Sequence, residues 1–140
     1  EAADTLDGID ISLLSINKKT NTISFSGAGH SLFISRGDKL LETKGDAYPI
    51  GYTHVNLKNY SRQEVQLEKD DTIYLFTDGL TQQYGGKNNE LYGNQKLKKL
   101  LLKHNKETFE LQETQIYRSF NNWKGGRNQD DDVCLIGFKV

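Results

Sequence analysis

Two short stretches carry carboxylates that packing alone does not require. In Phe76-Thr77-Asp78-Gly79-Leu80 an apolar run stops at an acid followed by a glycine. A carboxylate at the end of a buried strand is held rigidly, as a metal ligand must be. Gly79 adds a backbone free to turn. The same residues also suit a simple turn in which Asp78 caps a helix starting near Leu80. In Asn128-Gln129-Asp130-Asp131-Asp132 three consecutive acids repel one another unless water or a cation neutralises them. Hard oxygen donors of this kind suit Mg²⁺ or Mn²⁺, and an exposed acidic loop is the plainer account. If the strands beside these stretches pair in one sheet, both clusters reach the same edge, which capping explains less readily.

The remaining chemistry-bearing residues form no comparable constellation. Gly27-Ala28-Gly29-His30 lacks the spacing of a Walker loop or a dinucleotide fingerprint. No serine stands in a nucleophile elbow. His54 and His104 read as surface residues. The single cysteine, Cys134, has no CxxC partner and reads as a small buried residue of an apolar final strand. Phe109, Phe120 and Trp123 recur at helical spacing and read as core, not as a platform for stacking bases.

The elements that must position the acids follow from periodicity. Residues 9–16 and 22–26 alternate about the turn residues Asn17–Asn21, which predicts a hairpin. Gly27-Ala28-Gly29 breaks the pattern. Residues 32–35 and 39–42 read as two further strands about Arg36-Gly37-Asp38, giving an antiparallel meander. Residues 45–59 read as a loop holding the only proline, Pro49. Residues 64–67 form a short strand, and Thr72–Phe76 is apolar enough to be covered on both faces. Leu97, Leu100 and Leu101 mark one helix, with Lys96–Lys103 supplying its solvated face. Residues 108–123 mark a second helix that Gly125-Gly126 ends. Residues 133–140 form a last strand that returns to the sheet. The order predicts an α+β fold, an antiparallel sheet with its helices on one face.

Composition excludes several classes. The 140 residues are 35% hydrophobic and 26% charged, with a formal net charge of −1. That suits one globular domain. It lacks the clustered basic excess of a nucleic-acid binder, so no nucleic-acid partner is expected. No run approaches the ~18 apolar residues a membrane helix needs, so this segment is not expected to span a membrane. The acidic start Glu1-Ala2-Ala3-Asp4 is not the basic region of a signal peptide, and it reads as an internal boundary. One cysteine permits a reducing, cytoplasmic setting.

Taken in order, several motifs become specific. Asp7-Gly8-Ile9-Asp10-Ile11, Gly27-Ala28-Gly29-His30, Pro49-Ile50-Gly51, Asp70 through Gly79, and Gln129-Asp130-Asp131-Asp132-Val133 together resemble the latter half of SpoIIE-like phosphatase domains of the PPM (protein phosphatase 2C-like) kind. Gln82-Gln83-Tyr84-Gly85-Gly86, Tyr92-Gly93 and Asn122-Trp123-Lys124-Gly125 are similar to that family as well. The likeness runs over nearly the whole chain.

The resemblance implies a β-sandwich flanked by helices, with a two-metal Mn²⁺ or Mg²⁺ centre at one end and a metal-activated water that hydrolyses phosphoserine or phosphothreonine. It makes Asp78 and Asp131 the catalytic metal ligands, with Asp130 as the register alternative to Asp131. Gly79 lets the backbone approach the metal, and Asp132 orients waters or closes the loop. It implies bacterial regulatory signalling with a phosphoprotein substrate of the anti-sigma-factor-antagonist class. It also implies a cytoplasmic location, in relatives often within a larger membrane-attached sensor. The chain departs from the pattern in lacking the Gly-Asp and Asp-Gly-His-Gly-like elements that supply further carboxylates. Ser31 and Cys134 also replace residues common in relatives. Residues 1–140 are therefore expected to be one partial domain, the C-terminal portion, inactive alone and able to form a homodimer through exposed sheet surface. The competing expectations are a non-catalytic interaction module on the same scaffold and an unrelated β-rich domain with an acidic cation loop.

Overall fold

The computed structural model describes residues 8–51 and 59–140. Asp7, His54 and residues 52–58 of the central loop lie outside the described residues. The chain divides into two compact units. One is built from residues up to Leu32 with Glu42–Lys69, the other from Phe33–Leu41 and Asp70–Val140.

In the first unit β1 (Ile11–Asn17), β2 (Thr22–Ala28) and β5 (Gln63–Gln66) form an antiparallel sheet in the order β1-β2-β5. The predicted hairpin is present with Asn17 opposite Thr22. The Asn17 side chain accepts the backbone N–H groups of Lys19 and Thr20 at 3.0 and 3.3 Å, and Asn21 takes a left-handed φ of 57°. Asparagine tolerates both roles because its short amide can replace backbone partners. Ile23 and Phe25, two apart on β2, are buried.

The second unit holds most of the sheet β4-β3-β6-β9, built from β3 (Leu32–Arg36), β4 (Lys39–Thr43), β6 (Thr72–Phe76) and β9 (Leu135–Lys139). The expected meander is therefore wrong. β2 pairs with β1 and β5, so both its edges are taken, and the chain passes from β2 to a strand of another sheet. Between β6 and β9 lie one 3-10 turn (Asp78–Leu80) and a two-residue hairpin, β7 (Tyr84–Gly85) with β8 (Glu90–Leu91). Helices α1 (Asn94–His104) and α2 (Phe109–Lys124) come next. The helix expected near Leu80 is only that single turn.

β6 is flanked by β3 and β9, and Ile73, Tyr74 and Phe76 are buried, as the unbroken apolar run predicts. Phe33, Tyr74, Phe76 and Leu80 pack with Tyr92, Leu97, Leu101 and Phe120 in one core. Leu97, Leu101 and His104 are the buried residues of α1. His104 is thus not the surface residue expected, because it completes the i, i+4, i+7 face, where its Nδ1 meets Glu107 Oε1 at 2.9 Å. The lysine face of α1 is not purely solvated: Lys96 Nζ stands 4.0 Å from the Trp123 ring centre, a cation–π distance. Thr108 caps α2 by accepting Leu111 N–H, and Gly125 ends it at φ 60°. Phe109, at the first turn, is 42% exposed and only Phe120 of the expected stripe is fully buried.

Burial pushes the Tyr74 hydroxyl up to about 12, partly offset by its 2.7 Å bond to Gln112 Oε1. Burial also raises Tyr92, offset by its bond to Ser119.

Cys134 is exposed and precedes β9. It shares strand parity with Ile136, which is 54% exposed, whereas Leu135 and Gly137 are partly covered. The burial expected of Cys134 fails on that period of two.

Candidate functional site

β6 and β9 are antiparallel, and Phe76 stands opposite Leu135. The residues just after β6 must therefore lie beside those just before β9. That register alone brings Asp78 and the acidic loop to one edge of the sheet.

Thr77 fastens the two segments. Its N–H donates to Cys134 O at 3.0 Å. Its hydroxyl donates to Asp132 O and accepts Cys134 N–H, each at 2.9 Å. One threonine thus satisfies three backbone groups where the ladder ends, which buried or half-buried backbone requires. Gly79 is packed next to this clasp. A Cβ there would collide with the carbonyl oxygen of Asp132 and would sit 3.0 and 3.2 Å from the carbonyl carbons of Asp132 and Asp131. Only a glycine lets these backbones come so near.

Asp78 does not act as a helix cap. Thr77 holds the cap position, and Asp78 lies inside the 3-10 turn, where its carbonyl accepts Thr81 N–H and Gln82 N–H at 2.8 and 2.7 Å. Its half-buried carboxylate accepts Gln82 Nε2 at 2.8 Å. The exposed Asp131 carboxylate accepts the N–H of Asp132 at 2.7 Å, a short loop-internal bond. Asp130 is held differently: its Oδ2 accepts Gln83 Nε2 at 3.1 Å and its N–H donates to Gln83 Oε1 at 3.2 Å. Asp132 enters the clasp through its backbone carbonyl.

A cleft of about 370 Å³ is lined by Gly79, Gln82, Gln83, Tyr84, Asp130 and Asp131. A second cavity of about 320 Å³, lined by α2, β6 and β9, is mostly aromatic and aliphatic, with Glu113 its single carboxylate. Of these two, only the first opens onto more than one carboxylate, Asp130 and Asp131. Its hard carboxylate oxygens, opened onto a cleft whose backbone approach a Cβ would block, fit a Mg²⁺- or Mn²⁺-type cation. Among the described residues no group of three or more His, Cys, Asp or Glu gathers to hold a metal.

Thr77, Gln82 and Gln83 were not singled out from the sequence as site residues. No sequence signal marked Gln83: Thr81, Gln83 and Gly85 are buried while Gln82 and Tyr84 are exposed, a period of two that these residue types do not display.

A family model described as stage II sporulation protein E (SpoIIE) matches residues 4–140. No curated protein matches the chain by sequence. Among solved structures, the SiaA-PP2C domain of Pseudomonas aeruginosa is similar at 27% identity and a TM-score of 0.86, over 94% of this chain and 51% of that one. The manganese-presoaked phosphatase domain of SpoIIE from Bacillus subtilis is similar at 17% identity and 0.71, over 94% and 56%. The RsbU and RsbW domains of Rv1364c from Mycobacterium tuberculosis match at 17% and 0.71, over 91% and 35%. The α+β architecture, antiparallel sheets with two helices, is that of these PP2C phosphatase folds. The chain spans about half the length of the first two domains.

Proposed function

Since this chain belongs to the SpoIIE family of phosphatase domains, we propose that it supplies the C-terminal part of a metal-dependent protein phosphatase centre acting on phosphoserine and phosphothreonine. The observation that carries this reading is the close seat of Gly79 against the Asp131–Asp132 peptide. It sets Asp78 and Asp131 at one edge.

Physical chemistry makes a cation necessary to this reading. Four carboxylates on one edge repel a phosphate dianion, so the edge serves a phosphate substrate only once divalent cations offset its charge. When bound, Mn²⁺ or Mg²⁺ would supply Lewis acidity and a bound water of lowered pKa. Asp78 and Asp131 are the residues of this chain that would hold the ions. The turn hydrogen bonds fix the Asp78 main chain, Gln82 orients its carboxylate, and Gly79 and Thr77 keep the acidic loop at hand. The remaining ligands come from sequence beyond these two stretches, which is why this segment is proposed to be inactive by itself.

The proposed substrate is a phosphorylated bacterial regulatory protein of the anti-sigma-factor-antagonist class, met in the cytoplasm. No helix among the described residues is long and apolar enough to cross a membrane. Two sheet edges, β1 and β9, carry exposed Leu13 and Ile136, and pairing of two copies through such sheet surface is part of the proposal. A non-catalytic interaction module on the same scaffold is the second reading. That no group of three or more His, Cys, Asp or Glu placed to hold a metal occurs among the described residues favours it.

The test is manganese-dependent hydrolysis of para-nitrophenyl phosphate by this chain and by the protein carrying its native upstream sequence. Activity in the longer protein, lost in Asp78→Asn and Asp131→Asn, is expected. Inactivity of both with no manganese binding selects the interaction module.

A further inference from the structure

The acidic loop contains three adjacent carboxylates, and something must decide which of them faces a cation. We propose that Gln83 is the positioning residue that fixes this: it pins Asp130 by both its backbone N–H and its Oδ2, and so holds the next residue, Asp131, in its place beside Gly79. The inference rests on the metal-centre reading above.

Gln83 is 1% exposed, an unusual place for a neutral amide unless every polar atom is used. Both ends of its side chain are used. Nε2 faces three acceptors, Asp130 Oδ2 at 3.1 Å, Asn128 O at 3.0 Å and Tyr84 O at 3.1 Å. Oε1 accepts Asp130 N–H at 3.2 Å. A primary amide is the side chain that presents two N–H donors and an acceptor from one terminus. Glutamate would set an oxygen against three acceptors, and an apolar residue would leave all of them unmet.

The residue is itself fixed. Its carbonyl accepts Trp123 Nε1 at 3.2 Å and Tyr92 N–H at 2.9 Å, and Gly86 N–H donates to Trp123 O at 2.8 Å. The C-terminal end of α2 and the β7–β8 hairpin therefore hold the amide that holds the loop. Its neighbour Gln82 points the other way along the same segment and donates to Asp78. Two consecutive glutamines divide the two acid positions between them, one exposed and one buried. Supporting hydrogen bonds of this kind commonly change metal affinity 10- to 100-fold when removed, though they touch no metal.

The experiment measures free Mn²⁺ by electron paramagnetic resonance in titrations of the full-length protein and of Gln83→Met, Asp130→Ala and the double variant. Gln83→Met is expected to weaken manganese binding about 10- to 100-fold. Asp130→Ala weakens it by a smaller factor, because Gln83 still holds Asn128 O and the backbone N–H of residue 130. The double variant binds no more weakly than Gln83→Met, a non-additivity that marks a shared route. A role confined to stability would lower the melting temperature and leave the affinity of the folded protein in place. Unchanged affinity in folded Gln83→Met, or additive losses in the double variant, overturns the proposal. Should Gln83→Met not fold, Asp130→Ala decides alone, and wild-type affinity there refutes it. Asp78→Asn and Asp131→Asn run alongside: if they too bind normally, the metal-centre reading has failed, whereas their loss beside an intact Gln83→Met refutes only the positioning role.

Discussion

Replacing Gly79 by alanine probes the joint between the two acidic segments with a single methyl group. The atoms it would meet are main chain, so no side chain can swing aside. The carbonyl carbons of Asp131 and Asp132 lie 3.2 and 3.0 Å from the methyl position, and the Asp132 oxygen is nearer still. That oxygen accepts the Thr77 hydroxyl at 2.9 Å, so moving it away also breaks the clasp. Overpacking costs about 1–3 kcal/mol and a lost hydrogen bond about 1 kcal/mol, so Gly79→Ala should destabilise by about 2–4 kcal/mol. Displacing the loop should also weaken manganese binding. Urea denaturation gives the first quantity and a manganese titration the second. Gly126→Ala is the control: no atom lies within 4 Å of its Cβ position, and its cost should stay within about 0.5 kcal/mol. If Gly79→Ala matches that control in stability and in manganese affinity, the close seat of the loop on Gly79 is wrong.

Other expectations come from the core. Tyr74→Phe leaves the buried Gln112 Oε1 without its donor and should cost about 1–3 kcal/mol by urea denaturation. Because the folded state raises the Tyr74 hydroxyl from its ordinary 10 to about 12, the stability it contributes is complete below pH 10 and is lost as pH rises toward 12. The urea midpoint should fall over that window, and less steeply in Tyr74→Phe. Arg36 grips the Asp71 carboxylate, whose side chain is 0% exposed, through Nε at 3.0 Å and Nη2 at 2.7 Å. Arg36→Met leaves that carboxylate buried against a thioether and should cost about 3–5 kcal/mol, checked by the same denaturation.

Local pattern controls the part of this fold that the sequence discloses. The apolar run Thr72–Phe76 could be read as a central strand because both faces must be covered, and the helix faces through Leu97 and Phe120 keep a period the chain cannot disguise. The acids at the ends of two such runs could be paired by supposing that the strands are neighbours, and β6 and β9 are. Features that depend on distant partners were hidden. Nothing local says that β5 would take the free edge of β2 and send the chain into another sheet. The two-residue strands β7 and β8 carry too little pattern to be seen. His104 was legible in principle, since it continues the Leu97–Leu101 face, but a histidine near a helix end reads first as polar surface. Thr77 and Gln83 acquire their roles only from hydrogen bonds to residues far along the chain, so composition and spacing give them no distinction.

The most direct test of the metal assignment is manganese binding by the full-length protein and three isosteric variants, Asp78→Asn, Asp131→Asn and Asp130→Asn. Asp78 and Asp131 are the proposed ligands, whereas the Asp130 carboxylate serves as an acceptor for Gln83, a role an asparagine oxygen retains. Binding should be lost in the first two and kept in the third. Loss in Asp130→Asn with binding intact in Asp131→Asn would contradict the assignment.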